Sequence, residues 1–149
     1  MAKKDRKKPL QGEYPFEDKI PKVPPFKTDQ CLPEFKADLM DLEGPWNWSI
    51  DPKQLKELFL KIFDSQKLTW QSLRERGSHL VKTKNLCAEA QKRLMELQKG
   101  PLEDLDLEEI YSLRLTGKKR VWGIKDGNIF RLLWWDPEHE VCPSHKKHT

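Results

Sequence analysis

The chain has 149 residues, enough for one domain of ordinary size and an appendage, and its 36% hydrophobic content with six Trp and six Phe excludes a wholly disordered protein. Its formal net charge of +4 is a mild excess, so the position of the charges matters more than their sum. No apolar run approaches the roughly 20 residues that span a bilayer, and the basic start lacks the apolar stretch of a secretory signal peptide, so we expect a cytoplasmic protein with no membrane partner.

Residues 1–44 predict an extended, basic, proline-rich arm. The prolines of this segment remove amide donors and fix φ, so it can form neither a regular helix nor a central strand. In one interpretation, its isolated aromatic side chains pack on the domain or on a partner. In the alternative interpretation, the segment is a disordered leader. These aromatic residues are Tyr14, Phe16, Phe26 and Phe35. We therefore expect the domain over residues 45–149, ending in a basic, histidine-containing tail.

The first half of the predicted domain contains one short strand and two to three helices. Trp46–Ile50 alternates bulky and polar residues, the pattern of a half-buried strand. Asp51-Pro52 then opens a helix, because Asp is a favoured N-cap and Pro fits the first helical position. Thr69 is the expected cap of a short second helix. Residues 83–98 carry an apolar stripe at helical spacing, and Gly100-Pro101 ends this third helix.

Ile110 to Trp135 predict three antiparallel strands joined by tight turns. Asp126-Gly127 is a two-residue type I′ turn signal, and a hairpin closed on it pairs Trp122 with Arg131. A three-residue turn over 117–119 keeps the apolar residues of the first two strands on one face, whereas a two-residue turn mixes the faces. We therefore expect an α+β fold in which a three-stranded meander packs on the helices.

The predicted register gives the meander two different faces. The face that the helices cover carries Leu113, Leu115, Val121, Phe130, Leu132 and Trp134. The other face carries a row of Arg114, Trp122 and Arg131, with Arg120, Leu133 and Trp135 close by. Guanidinium groups grip phosphates while indoles stack bases, so this face is suited to nucleic acid. In the alternative interpretation the indoles lie under the arm, and each arginine pairs with an acid or stacks on an indole.

The segment after the last strand supplies a candidate acid–base residue. His139 follows the strand beside the basic face, where an imidazole is suited to proton transfer near neutral pH, although a histidine at such a position is more often an ordinary turn residue than a catalyst. A run of possible metal ligands recurs every three positions at His139, Cys142, His145 and His148. This spacing suggests zinc, but Pro143 prevents one helix from presenting the ligands, and structural zinc usually uses two separated pairs. We therefore expect no metal and no other cofactor. In a cytoplasmic protein we also expect the cysteine thiols to be reduced.

The sequence YSLRLTGKKRVWGIKDGNIF, from Tyr111 to Phe130, carries a resemblance to a known family. Together with the order of a short strand, helices and a meander ending in a polar loop, it resembles the RelE/ParE superfamily of bacterial toxins. The likeness lies in the basic strand, the glycine-containing turn and the hairpin that follows, and it extends to the helices only by their order. Gyrase-directed ParE relatives share the fold without ribonuclease chemistry, so the fold alone does not decide the activity.

The RelE branch implies a metal-independent endoribonuclease that cleaves mRNA on the ribosome, by attack of a ribose 2′-hydroxyl on the adjacent phosphate. By this resemblance Arg114 and Arg120 are catalytic phosphate clamps, and His139 is the acid–base residue. Lys118 and Lys119 loosely match the basic turn of the family and are expected to bind RNA, together with Arg131, Trp122 and Trp135 of the predicted arginine- and indole-bearing face. The implied partners are RNA or the ribosome, and an antitoxin-type inhibitor protein.

A non-catalytic module that binds nucleic acid or protein is the alternative function on the same fold. Thr116 stands where the family commonly has a second basic strand residue, and no tyrosine lies near the C-terminus. The sequence contains no phosphate-binding loop, no dinucleotide-binding glycine motif and no serine-hydrolase elbow. NTP hydrolysis, hydride transfer and serine hydrolysis are therefore unsupported.

Overall fold

The computed structural model describes residues 27–143, so residues 1–26 of the predicted arm and residues 144–149 of the predicted tail lie outside the description. The described part has an α+β fold with three α-helices and a five-stranded sheet, in agreement with the predicted class. In chain order the elements are β1 (Glu34–Lys36), α1 (Pro52–Ser65), α2 (Trp70–Glu75), β2 (His79–Lys82), α3 (Ala88–Gln98), β3 (Glu109–Arg114), β4 (Arg120–Asp126) and β5 (Ile129–Asp136). No helix in this part of the chain is long and apolar enough to cross a membrane.

Capping residues start the first two helices as the sequence predicts. The Asp51 carboxylate accepts a hydrogen bond from an amide of the first turn of α1 at 2.9 Å, and Pro52 is the first helical residue. The Thr69 hydroxyl accepts an equivalent bond at the start of α2, at 3.1 Å. The third helix begins at Ala88, later than predicted, because Thr83–Asn85 form a separate 3₁₀ turn.

The predicted meander forms the centre of a wider sheet. The strand order is β1-β5-β4-β3-β2, in which β1 runs parallel to β5 and all other neighbours are antiparallel. β1 comes from the segment assigned to the arm, and Pro33 precedes it, which is compatible with an edge strand. The strand predicted at Trp46–Ile50 is wrong. That segment lies against the end of β5, where the Trp46 carbonyl accepts a hydrogen bond from the Trp135 amide at 3.0 Å, and forms no ladder.

Both hairpins close in registers that differ from the predicted ones. β4 and β5 join through Gly127-Asn128 rather than through Asp126-Gly127. β3 and β4 pair Arg114 with Arg120, whereas the three-residue turn predicted over 117–119 would pair Arg114 with Trp122. Because each slip is an even number of positions, the predicted alternation of side chains survives near the turns.

A β-bulge exchanges the faces of the two indoles at the end of β5. The register shifts at Trp122, which leaves Leu133 as the extra residue on β5 and inverts the alternation beyond it. Trp134 therefore pairs with Trp122, and Trp135 pairs with Val121. The predicted placement of Trp134 on the face of Val121, with Trp135 on the opposite face, is wrong for this reason.

Both faces of the sheet are covered, whereas the sequence analysis left one face open. The α3 core lies on one face and contains Trp46, Ala90, Leu94, Ile110, Trp122, Ile124, Leu133, Trp134 and Val141. The α1/α2 core lies on the other and contains Leu58, Trp70, Leu73, Tyr111, Leu113, Leu115, Val121, Phe130, Leu132 and Trp135. The central strands carry apolar residues on both sides, which is the pattern of strands buried on both faces.

Candidate functional site

The indoles that were predicted to stack bases are buried in the two cores. Trp122 is 1% exposed and Trp135 is 4% exposed. Trp122 lies in the α3 core, where its Nε1 donates to the Asp136 carboxylate at 3.0 Å, and Trp135 lies in the α1/α2 core. The prediction that Arg114, Trp122 and Arg131 form one open row is therefore wrong, because α3 and the loop after β5 cover this face at Trp122.

Three of the predicted RNA-binding cations hold acidic partners. The pairs are Arg131–Asp38 at 2.6 Å, Lys119–Glu57 at 2.7 Å and Lys118–Glu138 at 2.5 Å. Exposed pairs of this kind contribute about 0–1 kcal/mol to stability, so a phosphate can compete for such cations. Arg131, however, is a residue of β5. Its strand partner is Ile124, far along β4 from Arg120. It therefore does not share a site with the arginines assigned to catalysis.

The three residues assigned to catalysis lie at one corner of the sheet. Arg114 and Arg120 are cross-strand partners at the ends of β3 and β4 that face the turn between them. β5 ends at Asp136, opposite Arg120, so the loop that follows returns to the same corner. His139 lies in this loop, close enough to both guanidinium groups for their charges to act on its imidazole.

A cavity of about 280 Å³ opens at this corner, and we call it the Arg–His cavity. Its walls include His79, Ser112, Arg120, Trp122, His139 and Cys142. The volume is below the roughly 300–1,000 Å³ that is typical of sites for drug-sized molecules. It therefore suits a phosphate group with its adjoining sugar rather than a large cofactor.

The cavity has an unneutralised positive charge at its edge. Within residues 27–143, no carboxylate lies within ion-pair distance of Arg114 or Arg120. The Arg120 guanidinium donates to the carbonyl oxygens of Gly117 at 2.8 Å and Lys119 at 3.0 Å, which orient it without neutralising it. Burial lowers the pKa of Arg120, and the charge of Arg114 acts in the same direction, whereas the nearby Asp136 carboxylate partly opposes them; the guanidinium stays protonated. Two adjacent cations of this kind favour the binding of an anion.

A buried carboxylate holds the loop that carries His139. Asp136 is fully buried and accepts hydrogen bonds from the Trp122 indole at 3.0 Å, from the Glu140 amide at 2.8 Å and from the Val141 amide at 3.0 Å. His139 has a φ of 58°, in the left-handed region that few residues other than glycine adopt. Such backbone strain persists where neighbouring bonds impose it, and it recurs at functional sites.

The electrostatic environment of His139 favours its neutral form. Burial lowers the pKa of His139 below the ordinary value for histidine, and the charge of Arg120 lowers it further. The nearby Asp136 carboxylate partly opposes these effects. The imidazole is therefore neutral at neutral pH, and in this form it can accept a proton.

Sequence analysis did not identify β2 or its histidine, His79. The strand has only four residues and follows Gly77-Ser78, a pair that is typical of the break after a helix. Gly77 has a φ of 102°, and this turn directs the chain from α2 into the sheet, where His79 pairs with Ser112. The run His-Leu-Val-Lys after a glycine is the signal that was available, but it is too short to be distinguished from a loop.

Metal ligation and likeness to known proteins add no further assignment. In the part of the chain that the structure describes, no group of three or more His, Cys, Asp or Glu side chains is arranged to hold a metal ion. His145 and His148 of the predicted ligand run lie outside the described residues.

Comparisons with protein-family models, curated proteins and solved structures give no match for this chain. The function must therefore be inferred from the chemistry of the Arg–His cavity.

Proposed function

We propose that the chain is a metal-independent endoribonuclease of the RelE type that cleaves mRNA on the ribosome in the cytoplasm. The observation that carries this proposal is the Arg–His cavity, in which a half-buried imidazole with a lowered pKa and the Arg120 guanidinium share the walls, with Arg114 as the cross-strand partner of Arg120; neither arginine has an ion-pair partner within residues 27–143. The β3–β4–β5 meander, followed by a histidine-bearing loop, supports the RelE-type architecture.

In the proposed reaction, neutral His139 removes the proton from a ribose 2′-hydroxyl, and the 2′-oxygen attacks the adjacent phosphorus. Arg120 and Arg114 stabilise the negative charge that develops on the phosphorane oxygens. A positioned base contributes about 10²–10⁴-fold to the rate, and a positioned charge-stabilising donor about 10²–10³-fold. Trp122 does not contact the substrate in this mechanism; its indole holds Asp136, and Asp136 holds the loop that carries His139.

The test is cleavage of an end-labelled mRNA by the purified protein in the presence of EDTA, both free in solution and bound to bacterial ribosomes. We expect His139→Gln and Arg120→Gln to lower the cleavage rate by about 10²-fold or more. Arg131→Gln is the matched control, because this arginine of β5 lies away from the cavity and is paired with Asp38. The substitution should change the rate less than about 2-fold. Intact mRNA with the folded wild-type protein in both settings contradicts the proposal.

A non-catalytic protein-interaction module is the second candidate, and one observation favours it. Helix α1 exposes an apolar ridge whose exposed fractions are 36% for Leu55, 60% for Phe59, 53% for Leu60 and 52% for Phe63. Contiguous exposed apolar residues are typical of protein-binding surfaces. In the endoribonuclease proposal, this ridge is the docking surface for an antitoxin-type inhibitor protein.

The two candidates differ in their response to substitution. If the chain is only a binding module, Phe59→Ser abolishes the effect that producing the protein has on growing cells, whereas His139→Gln leaves that effect unchanged. If it is an endoribonuclease, His139→Gln abolishes mRNA cleavage and Phe59→Ser does not.

A further inference from the structure

The proposed reaction needs a second group that transfers a proton. When the bond between phosphorus and the 5′-oxygen breaks, the leaving alkoxide must be protonated, and a positioned acid contributes about 10²–10⁴-fold to such a step. His139 cannot supply this proton at the start of the reaction, because as the base it is neutral. A second imidazole lines the same cavity, that of His79, the first residue of β2.

The strand pairing turns His79 toward the same face as the arginines. His79 is the cross-strand partner of Ser112, and Ser112 is the partner of Trp122. Cross-strand partners share a face of the sheet, and Arg120 lies two positions before Trp122 on that face. The loop with His139 returns to this face from β5, so the cavity has an imidazole in each of two separate walls.

A hydrogen bond to the backbone orients the ring of His79. Its Nδ1 lies 3.2 Å from the Gly77 carbonyl oxygen, which can only accept, so Nδ1 carries the proton of this bond. No other hydrogen bond to the ring is formed within residues 27–143, and the doubly protonated ring therefore has its Nε2–H available for donation. His79 is exposed to solvent whereas His139 is half-buried, so the two imidazoles occupy different environments.

We propose that His79 is the general acid of the endoribonuclease reaction, an inference that rests on the proposed function above. As the bond between the 2′-oxygen and phosphorus forms, the hydroxyl proton passes to His139. The bond from phosphorus to the 5′-oxygen breaks, its electron pair stays on that oxygen, and the oxygen takes the Nε2 proton of His79. The products are a 2′,3′-cyclic phosphate and a 5′-hydroxyl end. Exchange of one proton with water returns each histidine to its starting state.

The test compares two synthetic mRNAs that differ in one atom, the 5′-oxygen at the cleavage site, which is replaced by sulfur in the second. A thiolate is a far better leaving group than an alkoxide and needs no general acid. We expect His79→Ala to lower the cleavage of the oxygen substrate by about 10²-fold or more. The same variant should cleave the sulfur substrate within about 3-fold of the wild-type rate, whereas His139→Ala should lose activity on both.

Lys82→Ala is the matched control, because Lys82 is an exposed residue of the same strand that pairs with Glu109 and does not line the cavity. It should cleave both substrates at the wild-type rate. If the wild type is active and His79→Ala is equally impaired on both substrates, or is unimpaired on the oxygen substrate, the acid role is refuted while the endoribonuclease proposal stands. If the folded wild type cleaves neither substrate, both proposals are refuted together.

Discussion

Replacing Asp136 by Asn is expected to destabilise the protein and release the loop that carries His139. One carboxylate oxygen accepts from the Glu140 amide, and the other accepts from the Trp122 indole and the Val141 amide. An Asn side chain has the same shape but only one acceptor oxygen. The side chain can therefore keep at most the two bonds of the second oxygen, and its amide group then faces the Glu140 N–H, which is also a donor.

The magnitude follows from the bonds that change. The bond to Glu140 is lost, and a hydrogen bond to a charged group contributes about 1.5–3 kcal/mol. The two remaining bonds weaken because the acceptor is no longer ionised, and charge-assisted bonds are roughly twice as strong as neutral ones. The variant no longer bears the cost of burying a charge, which offsets part of this loss. We expect the free energy of unfolding to fall by about 2 kcal/mol.

Urea unfolding followed by circular dichroism measures this loss, and amide hydrogen exchange at Glu140 and Val141 reports the loop directly. Asp38→Asn is the matched control, because it makes the same replacement at an aspartate that lies at the surface, where Asp38 pairs with Arg131. That variant should lose less than about 1 kcal/mol. If Asp136→Asn unfolds at the same urea concentration as the control and its loop amides exchange no faster than in the wild type, the assigned role of the buried carboxylate is refuted.

Three further predictions concern pH dependence and packing. If neutral His139 is the base, kcat/KM rises with pH through a pKa that burial and the neighbouring arginines hold below the ordinary value of about 6.5. Arg114→Gln removes one of these positive charges and should move that rise to higher pH. Burial raises the pKa of Asp41, but the hydrogen bonds from Arg93 and an indole outweigh this effect and lower the pKa to about 2. Because the folded-state pKa is depressed, the stability contributed by this carboxylate is fully present above about pH 4 and is lost toward about pH 2, as urea unfolding across this range should show. Gly123→Ala should lower the free energy of unfolding by about 1–3 kcal/mol, because a Cβ there would lie 2.5 Å from a carbonyl oxygen of the neighbouring strand.

Each of these predictions has its own control. Lys82→Gln removes a charge outside the cavity and should leave the pH profile of cleavage unchanged, so an equal shift in both variants contradicts the assignment to His139. Arg93→Met should flatten the loss of stability at acidic pH, and an unaltered acid limb argues against the Asp41 pair. Gly100→Ala places its Cβ 4.0 Å from the nearest atom, and it should change stability by less than about 0.5 kcal/mol.

Signals within a few residues of one another could be interpreted correctly from the sequence. Asp51-Pro52 and Thr69 mark helix starts because a cap depends only on the first turn of its own helix. The catalytic assignment of His139, Arg114 and Arg120 rests on the family resemblance, and the ends of the strands bring these three residues together at one corner. Whether the three residues act in catalysis stays a prediction until the cleavage assay is done.

Tertiary structure alone decided which residues line the Arg–His cavity and which fill the core. The bulge opposite Trp122 adds one residue to β5, and the alternation of side chains is reversed beyond it. Counting alternate residues along the sequence therefore assigns Trp134 and Trp135 to the wrong faces. The presence of His79 and His139 in the walls of one cavity was equally hidden, because it depends on β2 pairing with β3, a strand that lies beyond α3 in the chain. Local sequence determines where helices begin, because the hydrogen bonds of a cap join residues within one turn. The cavity arises from packing between elements that are distant in the chain, and no short segment encodes that packing.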